Sequence, residues 1–590
     1  MALTPAERLM ATPTPAHTKA RPVNEGIDGR LRTVVPTALL VVFVAALPVH
    51  TWWGRLLVVA GATATAAAGT LTWGRFTAVQ WALRRAQIAW QARRPIVEAH
   101  TGDDPTAPSA PPESATLDGP PPPAAPSEHT PAGEPDHTVA VPVTAVSSGD
   151  EVGVDWSRGD LVAALNLHGH SHAPHWLHRR QITTPALVPI DELEERLNSL
   201  RGGEAPHTVD LVLQSRRLIR TPYGITYDTK LSGQPVAGQR RCLLIAHFDP
   251  TSNPAYYAAR NTLPDAVAAT MARIRRTVAA ADCPATALNG HQLKALRRST
   301  HPGAPAAPDV HCAPLGAVVR WGHLAPASTQ GLFDTVYAID PAAFTDQRLR
   351  DVWAIRAEAV TMTFRRDRRG WLGFVRVRSS TAPTAAPLPF LRTLPGQQAA
   401  AVNIGRPVAA TVPVRTVFEP VPTLAGLSLP TGSDGQVLGA DDVGRQLLLP
   451  LVPGAERIIA ARVDLIYAQQ LILRAEATGA KVTIVTADPH RWSGLVSPRI
   501  TLAVEGEQLP PGVDQLHVYD DGIAAPSNAA AATLALTAPG GPEPAGHLTL
   551  DQHDDMIDLT MNGTVTRIRA RVDPAEITHL PAAQSVRGAR

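Results

Sequence analysis

Two apolar runs dominate the start of the chain. Residues 34–49 (VVPTALLVVFVAALPV) and 56–73 (LLVVAGATATAAAGTLTW) carry no charge, and only HTWWGR separates them. Each is near the short end of a membrane-spanning helix. The pattern predicts a transmembrane hairpin over 33–74 behind a cytoplasmic N-terminal segment, 1–32. On the second helix Gly61, Thr65 and Gly69 recur every four residues, a small-residue stripe that lets another helix pack closely. Basic residues flank the runs at Lys19, Arg21, Arg30 and Arg32 and again from Arg75 onward, while the connecting loop holds Arg55 alone. That excess puts both termini and the main body on the cytoplasmic side of an inner membrane crossed twice. Residues 75–95 then read as a basic amphipathic juxtamembrane helix. Trp73, Trp81 and Trp90 alternate there with Arg84, Arg85, Arg93 and Arg94, a pattern suited to lipid headgroups or a partner.

Patterning changes abruptly over 96–149. Within 101–142 there are 12 prolines and seven acidic residues but no lysine or arginine, so this stretch reads as an extended, acidic tether. Beyond it, periods of two and of 3.6 alternate. Residues 161–167 and 209–214 read as strands, 189–200 as a helix, and 224–231 and 239–249 as paired strands. A long helix over 253–281 carries Val267, Met271, Ile274 and Val278 on one face. Residues 360–378 read as a hairpin turning at Arg368-Arg369-Gly370. In the second half, 457–462, 465–478 and 481–486 follow as strand, helix and strand, a βαβ unit that implies parallel sheet. The expected fold class is thus a two-helix membrane hairpin followed by a cytosolic α/β, mixed-sheet region. Its first half spans 150–400, and its second half, with the βαβ unit, spans 401–590.

Composition narrows the function. A net charge of +2 gives no case for nucleic-acid binding. The three cysteines are far apart and suit a reduced compartment. There is no GxxxxGK[ST], GxSxG or HExxH, and no GxGxxG after a strand, so no catalytic residue and no cofactor is assigned. Acidic pairs at Asp441-Asp442, Asp520-Asp521 and Asp554-Asp555 suggest a metal-dependent nucleotide-sugar transferase as an alternative. Asp520-Asp521 adjoins Gly522 and Asp441-Asp442 lies within two residues of Gly439 and Gly444, turn-like text where aspartate serves the backbone. The densest candidate chemistry is LNLHGHSHAPHWLHRR, with His168, His170, His172, His175 and His178. Imidazoles at this spacing can chelate a transition metal or respond to pH. The absence of nearby cysteine, and the intervening glycine, serine and proline, favour a surface loop between two strands.

Several segments carry a resemblance to a known family. VGVDWSRGDLVAALNL (152–167), LVPIDELEERL (187–197), HTVDLVLQSRRL (207–218), CLLIAHFDPTSNPAYYAARN (242–261), ADCPATALNGHQL (281–293) and AQQLILRAEATGAKVTIVTADPHRW (468–492) resemble EccE, a membrane component of actinobacterial type VII (ESX) secretion systems. The tether and the histidine tract stand outside that text. The resemblance implies a non-enzymatic subunit that stabilises the complex exporting folded helical-hairpin proteins. Its implied partners are EccB, EccD and EccC, the last similar to FtsK/SpoIIIE ATPases.

Overall fold

The computed structural model describes the short strands Thr72–Trp73 and Phe76–Thr77, the strand Val139–Thr144, and most of residues 151–581, short stretches within that span excepted. It corrects the expected fold class. The described residues are organised mainly by two 12-stranded sheets, and among them no helix is long and apolar enough to cross a membrane. Residues 33–71, with Gly61, Thr65 and Gly69, lie outside the described residues, as do Trp81, Arg84, Arg85, Trp90, Arg93 and Arg94. Where the helical reading can be compared, it fails. Thr72–Trp73 pairs antiparallel with Phe76–Thr77, with Trp73 opposite Phe76. β-Branched and aromatic residues favour that extended pairing over a continuing helix. Val139–Thr144, assigned to the tether by its composition, is an edge strand of the first sheet.

Antiparallel pairing builds the first sheet throughout. Its central strands are Ala359–Asp367, Thr208–Arg216, Gln239–Phe248 and Asp160–Leu167, in that spatial order. These strands are largely apolar on both sides because both faces are covered. Leu161, Ala163, Leu165 and Leu167 pack into one layer with Met271, Ile274 and Val278 of the helix Leu263–Ala280. Val162 and Ala164 point the other way, against Leu293 and Leu296 of the helix Gly290–Ser299. The long helix starts later than its periodicity suggests. Thr262 caps it by accepting from the Asp265 N–H, and proline occupies its first turn.

Residues 224–230 are helix, not strand. The helix is Pro222–Lys230, and Thr221 accepts from the Gly224 N–H ahead of a proline in the first turn. That cap-and-proline signature outweighs the β propensity of Tyr223, Ile225 and Tyr227.

The second sheet is mixed. Ile500–Ala503, Lys481–Val485, Gln515–Tyr519, Ala532–Thr537, Ile458–Arg462 and Leu548–His553 run parallel in that spatial order. Antiparallel strands continue the sheet. The strands before and after the helix Leu465–Ala477 are not neighbours, because two later strands fill the gap between them. The helix is buried from Tyr467 to Ala477 and ends at Gly479, whose φ of 114° suits glycine. Unexpectedly, the hairpin His175–His178/Gln181–Thr183 leaves the first sheet's chain segment and completes the far edge of the second.

Candidate functional site

The histidine tract is the crossing between the sheets rather than a surface loop, and its side chains separate. His168 Nε2 lies 2.6 Å from Thr286 Oγ1, and burial, with Arg241 nearby, holds its imidazole below the ordinary value. His170 pairs at the surface with Asp282, 3.0 Å away. His172 is buried in a left-handed conformation (φ 56°), with Nδ1 2.8 Å from the Pro450 carbonyl. His175 is fully buried, and His178 is exposed at the hairpin tip. Each histidine thus serves a different neighbourhood. Among the described residues no three His, Cys, Asp or Glu side chains form a metal-holding group.

His175 leads to the first of two buried ionic knots. Its Nδ1 is 3.1 Å from Asp434 Oδ1, and Arg240 Nη2 donates to Asp434 Oδ2 at 2.9 Å. The Ala237 N–H donates to the same carboxylate at 2.6 Å, and the Arg240 guanidinium lies over the Trp353 ring. Burial would raise the Asp434 carboxyl, but Arg240, His175 and Ala237 outweigh it and hold the group below the usual range. The knot ties a strand of the first sheet to the hairpin and the loop that enter the second.

The second knot centres on Glu576, near the end of the described chain. Its carboxylate accepts from Tyr223 Oη at 2.6 Å, Gln470 Nε2 at 2.8 Å, and Arg474 Nε and Nη2 at 3.0 and 2.7 Å. Against the pull of burial, Arg474, Lys230 and Tyr223 bring its pKa down to about 2. Arg474 also donates to the Val437 carbonyl at 2.8 Å, and Leu580 closes the strap in the core. Three segments distant in sequence therefore meet on one carboxylate: the helix Pro222–Lys230, the helix Leu465–Ala477 and the C-terminal strap.

Open parallel sheets usually bind ligands beyond the carboxyl ends of neighbouring strands whose connections leave in opposite directions. Here that place lies between Lys481–Val485, which leads outward to Ile500–Ala503, and Gln515–Tyr519, which leads inward to Ala532–Thr537. Side chains there bond to one another. Asp520 Oδ2 accepts from Thr486 Oγ1 at 2.7 Å and Trp492 Nε1 at 2.8 Å, and Oδ1 accepts from the Asp521 N–H at 2.9 Å. The other acidic pairs also serve local structure. Asp441 accepts from Arg445, and Asp554 (φ 56°) occupies the turn between Leu548–His553 and Met556–Met561.

Motif reading missed Arg240, Asp434, Arg474 and Glu576, and it took Asp520 as half of an acidic pair rather than as a buried acceptor. A usable signal was present for some. Asp210 interrupts VDLVLQ, and Arg474 and Glu476 interrupt LILRAEA. A charge inside a run buried on every side needs a partner.

No family model matches the chain. It is similar to the ESX-2 secretion system protein EccE2 of Mycobacterium tuberculosis (strain CDC 1551 / Oshkosh), with 24% identity over 388 residues. The match covers 61% of this chain and 65% of that protein, so the chain spans less than two thirds of the relative's length. With the segments quoted above, this match supports an assignment to the EccE family of ESX secretion-system proteins.

Proposed function

We propose that the chain is a non-catalytic structural subunit of a membrane-associated type VII secretion complex. The similarity to EccE2 carries this reading. In it, the two-sheet body is a rigid element that stabilises the assembly exporting folded helical-hairpin proteins. EccB, EccD and the ATPase EccC are its proposed neighbours. Two features of the body favour scaffolding over turnover. The knots at Asp434 and Glu576 fix the two sheets through hydrogen-bonded charges in dry surroundings. At the place where an α/β sheet would hold a nucleotide, Asp520 bonds to Thr486 and Trp492 of its own chain.

A deletion strain separates the roles. Loss of cargo export together with a lower yield of the remaining complex, both restored by the intact chain, is the expected result. Loss of export with a fully assembled complex would overturn the structural role in favour of a catalytic one.

A further inference from the structure

Charged and titratable groups line one face at an end of the first sheet. Asp210 lies opposite both Ile245 and Arg365, and His247 lies opposite both Val162 and Thr208. Because side chains alternate between faces, Asp160, His247, Asp210 and Arg365 share one face of four neighbouring strands. Arg365 Nε and Nη2 donate to Asp210 at 2.7 and 2.6 Å, and the Gly405 N–H donates to Asp210 Oδ2 at 2.9 Å. His247 is fully buried. Its Nε2 is 3.7 Å from Asp210 Oδ2, and neither ring nitrogen has a hydrogen-bond partner among the described residues. Buried polar atoms left in that state are rare and need an explanation.

A route to solvent adjoins it. The His207 ring is 6.2 Å from the His247 ring, and its Nε2 is 4.0 Å from Asp160 Oδ2. Both of those outer side chains are partly exposed, at 32% and 22%. Asp249 also faces the pair. Burial, joined by His247 and Arg365, holds the His207 imidazole below its ordinary value against the opposing pull of Asp160 and Asp249.

We propose that this array is a proton-responsive catch: in mild acid the His207–His247 pair takes a proton from solvent, His247 Nε2–H donates to Asp210, and the Gly405 N–H loses its acceptor. Asp210 Oδ2 already accepts from Arg365 Nη2 and the Gly405 N–H, so its two lone pairs are taken, and a third donor displaces the weaker of them; a charged imidazolium is a stronger donor than a backbone amide. Gly405 is a sensitive point at which to lose a bond. Its φ is +74°, and a Cβ there would meet Thr363 Oγ1 at 2.5 Å. The loosened segment, 402–408, leads from the first sheet towards the second.

Amide hydrogen exchange of the full chain in steps from about pH 7.5 down to about pH 4.5, well below the ordinary imidazole value of ~6.5 because burial lowers His207, tests the catch. After correction for the intrinsic pH dependence of exchange, segment 402–408 should exchange about tenfold faster at the lowest pH than at the highest in the wild type. His247→Gln should abolish that response, and His207→Gln, at a partly exposed position, should weaken it and keeps the test available if the first variant does not fold. A wild-type segment that exchanges alike across the whole series overturns the proposal. So does an undiminished acid response in both variants.

Discussion

Buried charges in the first sheet join strands that already lie side by side. Asp210 pairs with Arg365 across one ladder, and Asp334 pairs with Arg376 and Arg378 across another. Backbone hydrogen bonds hold the same partners, so the ion pairs reinforce contacts fixed by register. In and around the second sheet Arg462–Asp551 and Asp558–Arg567 also follow ladders, but the most deeply buried charges bridge elements that no ladder joins. Arg240 reaches Asp434 across 194 residues, and Tyr223 reaches Glu576 across 353. The difference implies two kinds of consequence. Breaking a first-sheet pair weakens one neighbourhood, whereas breaking a long-range knot separates whole segments.

The largest expected effect is therefore at Glu576. Glu576→Ala strands Arg474 in the core and should cost about 3–5 kcal/mol in denaturant unfolding. The loss of hydrogen-exchange protection should appear in both Pro222–Lys230 and Leu465–Ala477. Asp434→Ala should cost a similar ~3 kcal/mol or more and expose both the histidine-tract hairpin and the start of Gln239–Phe248. Asp334→Ala is the contrasting first-sheet case. Its exchange changes should stay within Phe333–Ile339, Gly370–Ser379 and the end of Gly290–Ser299. Equal spread from Glu576 and Asp334 would erase the proposed distinction.

Acid should sharpen the same contrast. Burial lowers the imidazoles of His168, His207 and His323 in the first-sheet region, and of His517 in the second. A base whose folded pKa lies below its unfolded value favours folding while neutral. That stability is complete above about pH 6.5 and falls as pH drops. Glu576 has the opposite charge but the same direction, with its folded pKa at about 2 against a model-peptide carboxylate value of 4.5. Its contribution is complete above about pH 4.5 and disappears as pH falls towards 2. A pH series of unfolding free energies should show an early histidine loss, weighted to the first sheet, and a later carboxylate loss at the joint.

Two smaller effects complete the order. Thr221→Ala removes the helix cap beside the Glu576 knot and should cost about 1 kcal/mol. Arg567→Ala, at an exposed hairpin pair with Asp558, should leave unfolding unchanged within error.

Much of the core pattern was legible, because strands covered on both faces write themselves as unbroken apolar runs. Residues 161–165 and 242–246 are of this kind. Local capping was legible in principle, but Thr221-Pro222 was outweighed by the β-favouring residues after it. The knots were not legible as pairs. Tyr223, Arg474 and Glu576 meet only after three separate segments fold, and no spacing rule links them. The histidine tract misled in its placement: it read as a surface loop between two strands, yet the chain crosses between sheets there and delivers each ring to a different neighbour.

The central claim is membership of a secretion assembly through a rigid two-sheet body. Its most direct test is affinity capture of the tagged chain from native membranes in mild detergent, followed by mass spectrometry. The account predicts co-recovery of an FtsK-like ATPase with the other ESX membrane subunits in one large particle. Recovery of the chain alone, from membranes in which those subunits are present and assembled, would contradict it.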